Sequence, residues 1–150
     1  GQGLLLFSVG FLLLAVNWSY ADRSRDWSAY QLAGYILATV EPDALIITQW
    51  TKATPLQYMQ IVEGQRLDVE ILDRGLLALG IRDAYLRQGE AAARVYNNAI
   101  VAHLQQIIQE QLPHRPIYIT EEDPILDLIA CYKPIQTGLY RITCAKPLDN

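Results

Sequence analysis

The sequence predicts an α/β fold: a three-layer sandwich around a small, mainly parallel sheet of about four strands, preceded by part of a transmembrane helix. Three observations lead there. Short apolar runs rich in β-branched residues recur at Ala44–Thr48, Val69–Asp73, Pro116–Thr120 and Leu139–Cys144. Stretches of helical period lie between them, and alternating strands and helices normally pair the strands in parallel with helices covering both faces. An almost unbroken oily run, Leu4–Val16, comes before all of them.

That run is interrupted only by Ser8 and Gly10. A spanning helix needs about 20 apolar residues to cross roughly 30 Å of hydrocarbon, so the run is short by several, as expected of a last span cut partway. Two other readings compete. Ser19-Tyr20-Ala21 offers the small residues of a signal-cleavage site, but neither an initiator Met nor a basic region precedes the run. A core helix has a suitable length, yet the run is apolar on every face, unlike an outer helix of a small domain. Asn17-Trp18-Ser19-Tyr20 favours the span by placing amphipathic aromatics where a headgroup belt sits. The expected division is residues 1–21, a truncated span with its interfacial flank, and 22–150, one folded domain. The flank Asp22-Arg23-Ser24-Arg25-Asp26 mixes both charges and does not set sidedness.

Past that flank, Trp27–Val40 reads as a helix capped by Asp26 or Ser28, with Tyr30, Ala33, Leu37 and Val40 on one face. Glu41-Pro42-Asp43 stops it. Ala44–Thr48 is continuous enough to be a strand buried on both faces. Thr54 and Pro55 then read as N-cap and first residue of a helix running to Gly64. After the strand Val69–Asp73, Arg82–Leu112 reads as mostly helix, divided near Gly89. Pro116–Thr120 is a third strand, and Asp123-Pro124 opens a short helix to Cys131. Gly138 precedes the last strand, which a tight turn can set antiparallel at an edge.

With 150 residues the chain suffices for one domain. A net charge of −4, with the basic residues scattered, argues against nucleic acid as a partner. No glycine-rich turn or P-loop suggests a nucleotide, and no cofactor is implied. Glu121, Glu122 and Asp123 are adjacent acids that do not converge on one cation, so no metal is expected. His103 and His114 lack the partners of a triad, and no catalytic residue is assigned. Cys131 and Cys144 match no metal or redox spacing. They are either two buried thiols or, outside the cytoplasm, a disulfide worth about 3 kcal/mol.

In parallel sheets ligands bind beyond the carboxyl ends of the strands, which selects Thr48–Thr54, Asp73–Gly75 and Thr120–Asp123. The first loop joins hydroxyls, an amide, the amine of Lys52 and an indole to a helix N-terminus, which attracts anions, and an indole beside polar groups suits a sugar's apolar face. The candidate binding residues are Gln49, Trp50, Thr51, Thr54, Tyr58, Arg74 and Glu121. The plainer alternative has Trp50 packing on the sheet edge and Thr54 only capping a helix.

Longer stretches carry a resemblance. Asp22-Arg23-Ser24, Ala44-Leu45-Ile46-Ile47-Thr48, Thr54-Pro55-Leu56-Gln57-Tyr58-Met59-Gln60 and Val62-Glu63-Gly64-Gln65-Arg66-Leu67-Asp68-Val69 occur in that order, with Gly138-Leu139-Tyr140-Arg141-Ile142 near the end. The pattern resembles the C-terminal region of bacterial polytopic membrane proteins related to protein O-mannosyltransferases, within the GT-C class of glycosyltransferases. The likeness is good over residues 17–75 and loose beyond. It implies a parent enzyme that moves a sugar from a polyprenyl-phosphate donor. This domain would then lie on the extracytoplasmic side of the membrane, binding acceptor or bracing the bilayer part. Many members carry an acidic Gly-Asp-Asn-Asp-Thr turn where this chain has Trp50-Thr51-Lys52-Ala53-Thr54, so no acid or metal chemistry is carried over. The class's catalytic acid belongs to an earlier loop, outside this sequence. The alternative is a non-enzymatic, membrane-anchored interaction module.

Overall fold

The computed structural model describes residues 10–13, 15–18, 25–86 and 92–147, the side chains of 83–86 and 92–97 excepted. Of the expected span, 4–9 and 14 lie outside these residues, as do most of the flank and Gly89. Residues 10–13 and 15–18 are helical, with Phe11, Leu12, Leu13, Val16 and Trp18 exposed, so this part is not packed into the core. Among the described residues no helix is long and apolar enough to cross a membrane, and the transmembrane element is not seen as one.

The domain follows as α1 (Ser28–Thr39), β1 (Leu45–Thr48), α2 (Trp50–Ile61), β2 (Glu70–Asp73), α3 (Arg74–Leu86), α4 (Ala92–Gln111), β3 (Ile117–Ile119), α5 (Pro124–Ile129), β4 (Ala130–Gln136) and β5 (Leu139–Ala145). The fold is α/β, but its sheet is mixed and has five strands, in the order β2-β1-β3-β5-β4. β2, β1 and β3 are parallel, while β5 runs antiparallel to both β3 and β4. The antiparallel strand is therefore internal, and β2 and β4 are the edges.

Side chains alternate along a strand, and β1 shows why its run is apolar throughout. Ala44 and Ile46 join a core cluster with Ile36 and Leu37 of α1 and Leu56 and Met59 of α2. Leu45 and Ile47 join the opposite cluster, with Ile100, Leu104 and Ile108 of α4 and Leu126 and Ile129 of α5. The sheet is thus the middle of three layers.

Four local expectations need correction. α2 begins at Trp50 rather than Thr54; the Lys52 and Ala53 N–H groups reach the Gln49 carbonyl at 2.8 and 2.9 Å. Thr54 is not a cap, since its hydroxyl donates to the Trp50 carbonyl at 2.9 Å, and Pro55 lies inside the helix. α3 starts directly at the end of β2, so Arg74 is a helical residue and not part of a loop. The short helix α5 stops at Ile129, and the chain continues as β4 through Cys131.

Arg66 closes the far end of α1. It holds a left-handed backbone (φ 47) and donates to the Leu37 carbonyl, to the Val40 carbonyl at 3.2 Å and to the Glu41 carbonyl at 3.0 Å. Its Nε and Nη2 also grip Asp68 at 2.9 and 3.0 Å.

At the β4 edge, Cys131 and Cys144 are directly opposed and joined by a disulfide, with Cα atoms 4.9 Å apart. β4 also carries Pro134 and two register irregularities. Because the hairpin already brings these ends together, removing the crosslink costs less than closing a free loop. Replacing both cysteines by serine is expected to lower stability by about 2 kcal/mol, measured as a shift of the urea midpoint at unchanged slope.

Candidate functional site

The parallel strands end on one edge of the sheet, and the segments that leave them meet there. Thr48 ends β1 and Thr120 directly follows β3, and their buried hydroxyls share a hydrogen bond of 2.7 Å. Lys52, on the first turn of α2, reaches across to the Thr120 carbonyl at 2.5 Å and lies 3.8 Å from Glu121. Asp73 accepts from the Gly75 N–H at 2.8 Å and so caps α3. It does not pair with Arg74.

Arg74 instead turns toward the β3 loop. Only 6% exposed, its Nη2 sits 2.7 Å from Asp123 Oδ2 and 3.8 Å from Glu121 Oε1. Gln49 lies against the group: with its amide turned so that the oxygen faces Arg74 Nη2, its nitrogen faces Glu121 at 3.2 Å. Among the described residues Arg74 Nη1 has no hydrogen-bond partner. Burial alone would raise the Asp123 carboxyl's pKa; hydrogen bonds from Arg74 and from the Ile125 N–H outweigh it and hold it below the usual carboxylate value. Asp123 does cap α5, through that 2.7 Å bond to Ile125 N–H, and is in addition the main counter-ion of Arg74.

Trp50 supplies the apolar component. Its side chain is 51% exposed, and its indole crosses Gly75 so closely that a Cβ there would lie 1.2 Å from Nε1. Between this ring and the polar group lies an open cavity of about 290 Å³. Gln49, Arg74 and Asp123 line it with planar polar groups, and Ala78, Ile100 and Ile125 with apolar ones.

Of the residues expected from sequence, Gln49, Trp50, Arg74 and Glu121 come together here. Thr51 lines a separate groove of about 280 Å³ between α1 and α2. Thr54 is exposed on α2 with its hydroxyl turned back to the backbone. Tyr58, 48% exposed, lies two turns on, about 12 Å from Trp50 along the helix axis. Reading by sequence missed Asp123 as a counter-ion, Lys52 as a bridge and Gly75 as the bed of the indole. The strand-end rule does place all three on this edge; their pairing depends on the sheet order.

The arrangement supplies polar and apolar groups that can bind a ligand. No hydroxyl or thiol here is set against a base, and among the described residues no three His, Cys, Asp or Glu side chains are grouped to hold a metal ion. Planar amide, guanidinium and carboxylate groups fixed beside an indole can take the paired hydroxyls and the apolar face of a pyranose together. Comparison with protein-family models, with curated proteins and with solved structures finds no match to this chain.

Proposed function

We propose that this domain is the extracytoplasmic acceptor-binding part of a membrane-embedded, GT-C-like glycosyltransferase, whose catalytic centre lies elsewhere in the parent protein. The sugar would come from a polyprenyl-phosphate donor, and the edge beside Trp50 would hold a sugar of the acceptor. The observation that carries this reading is the half-exposed indole laid over Gly75 beside Gln49, Arg74 and Asp123. A sugar has the matching surfaces: an apolar face of C–H groups and a rim of hydroxyls. The exposed apolar side chains at 11–13, 16 and 18 support attachment to a membrane. The order of motifs after the oily run supports the glycosyltransferase setting.

Trp50→Ala is expected to weaken glycan acceptor binding about tenfold, equivalent to roughly 1.4 kcal/mol, and to lower transfer by the parent enzyme at limiting acceptor. Calorimetric titration of the protein with an acceptor oligosaccharide reads the first, and sugar incorporation by membranes reads the second. Tyr58→Ala is the control and should change neither. Equal affinity in native and Trp50→Ala proteins would remove the binding role and leave the domain as a brace.

A further inference from the structure

We propose that the sugar held beside Trp50 is an uncharged one, bound through neighbouring hydroxyls between Arg74 and Asp123, and that this edge rejects acidic sugars and phosphate. This assignment rests on the sugar site proposed above and names the class of sugar it takes.

Charge at the edge is already balanced. Arg74 lies 2.7 Å from Asp123 and 3.8 Å from Glu121, and Lys52 lies 3.8 Å from the same Glu121. Asp73 adds a further carboxylate, engaged by the Gly75 N–H. The N-termini of α2 and α3 supply about half a positive charge each, which offsets it. Among the described residues no surplus of positive charge is left here for a ligand anion. A carboxylate or phosphate entering the cavity would come up against Asp123 and Glu121, and such juxtaposed like charge is how a site turns away the wrong ligand.

Hydrogen bonding points to the same class. Arg74 lines the cavity, and its buried Nη1 has no partner among the described residues. A guanidinium can only donate, so the unmet group calls for an oxygen. Leaving a buried charged donor unpaired is costly, and a ligand oxygen removes that cost. Asp123 is on the same cavity wall. Against the pull of burial, Arg74 and the Ile125 N–H keep it ionised, and a carboxylate can only accept. A hydroxyl is the uncharged group that both donates and accepts. Of two on adjacent ring carbons, one can offer its oxygen to Arg74 Nη1 and the other its hydrogen to Asp123. The C–H face of the ring then lies on the half-exposed Trp50 indole. A protonated amine donates only and would leave Nη1 unmet, so a basic sugar fits no better.

Calorimetric titration of the full chain with matched probes tests this: neutral gluco-, manno- and galacto-trisaccharides, their C6-oxidised uronic counterparts, and inorganic phosphate. A neutral probe should bind about tenfold tighter than its uronic counterpart, with an affinity insensitive to salt, and phosphate should not compete. Asp123→Asn should reverse the preference. Asparagine still caps α5 but leaves Arg74 without its counter-ion, so the uronic probe should gain about tenfold on the neutral one and its binding should weaken with salt. If thermal melts show that variant unfolded, Glu121→Gln adds the same unit of charge outside α5 and should give the same reversal. A uronic probe bound as tightly as the neutral one by native protein, or phosphate that displaces the sugar, would overturn the uncharged-ligand assignment. Sugar binding itself would still stand wherever Trp50→Ala weakens it. An unchanged preference in the folded charge variants would overturn the balance of Arg74 against its carboxylates as the basis of selection. Binding of no probe, or binding that Trp50→Ala leaves intact, would overturn the sugar site and this assignment with it.

Discussion

Arg66→Ala should destabilise the domain by about 3 kcal/mol and lower its melting temperature by roughly 10 °C. One side chain satisfies three carbonyls at the end of α1 and in the turn after it, from Leu37, Val40 and Glu41. Without it those acceptors lose their donor and Asp68 loses its cation. Arg66→Lys keeps the charge but not the planar fork, and should recover only part of the loss. Thermal melts of the three proteins check this; an Arg66→Ala melt within 2 °C of native would refute the capping role. The same clamp predicts a pH dependence. Hydrogen bonds from Arg66, helped by the Asp43 N–H, hold the Asp68 carboxyl down at about 2, against 3.8 for a free one. A folded value below the unfolded one means that its contribution is complete above about pH 4 and fades as pH falls toward 2. Native protein should lose melting temperature across that interval, and Asp68→Asn should lose less.

Gly75→Ala should cost as much acceptor affinity as Trp50→Ala, about tenfold, although it removes no atom from the site. A methyl group at Gly75 would sit 1.2 Å from Trp50 Nε1, so the ring must swing off the cavity. The fold should tolerate the change, because the displaced group is a half-exposed side chain and alanine favours the first turn of α3. Two substitutions acting on one ring are not additive, and the double variant should bind no worse than either single one. Calorimetry with the acceptor, paired with thermal melts, reads both halves. Native affinity in Gly75→Ala would show that the indole's position does not matter to binding.

How much of this was legible in the sequence differs from element to element. β1 was clear because Ala44–Thr48 faces two cores, so its run has no polar interruption. The start of α2 was obscured by Pro55, which reads as a first helical residue, whereas the helix begins at Trp50, after a Gln49 whose side chain makes no capping bond. Lys52's bond to Thr120 and the full burial of Ala53 hold that first turn, and both are tertiary. Arg82 onward reads as helix, but the opening stretch of α3 escaped notice because no loop separates it from β2, leaving Asp73 to serve as strand end and cap at once. β4 carries Lys133 and Pro134 where a strand reading expects alternation, and only its pairing with β5 makes it a strand. In the site, each loop was visible by the strand-end rule. The Arg74–Asp123 pair was not, since it joins segments brought close only by placing β1 between β2 and β3.

The way the sheet terminates at β4 bears on crowding. An outer strand offers free amides and carbonyls that invite a neighbouring molecule to add a ribbon of its own. Here Pro134 withholds one donor, two register shifts break the even spacing, and the Cys131–Cys144 link fixes the hairpin against fraying. Crowded copies are thereby hindered from zipping together along that border.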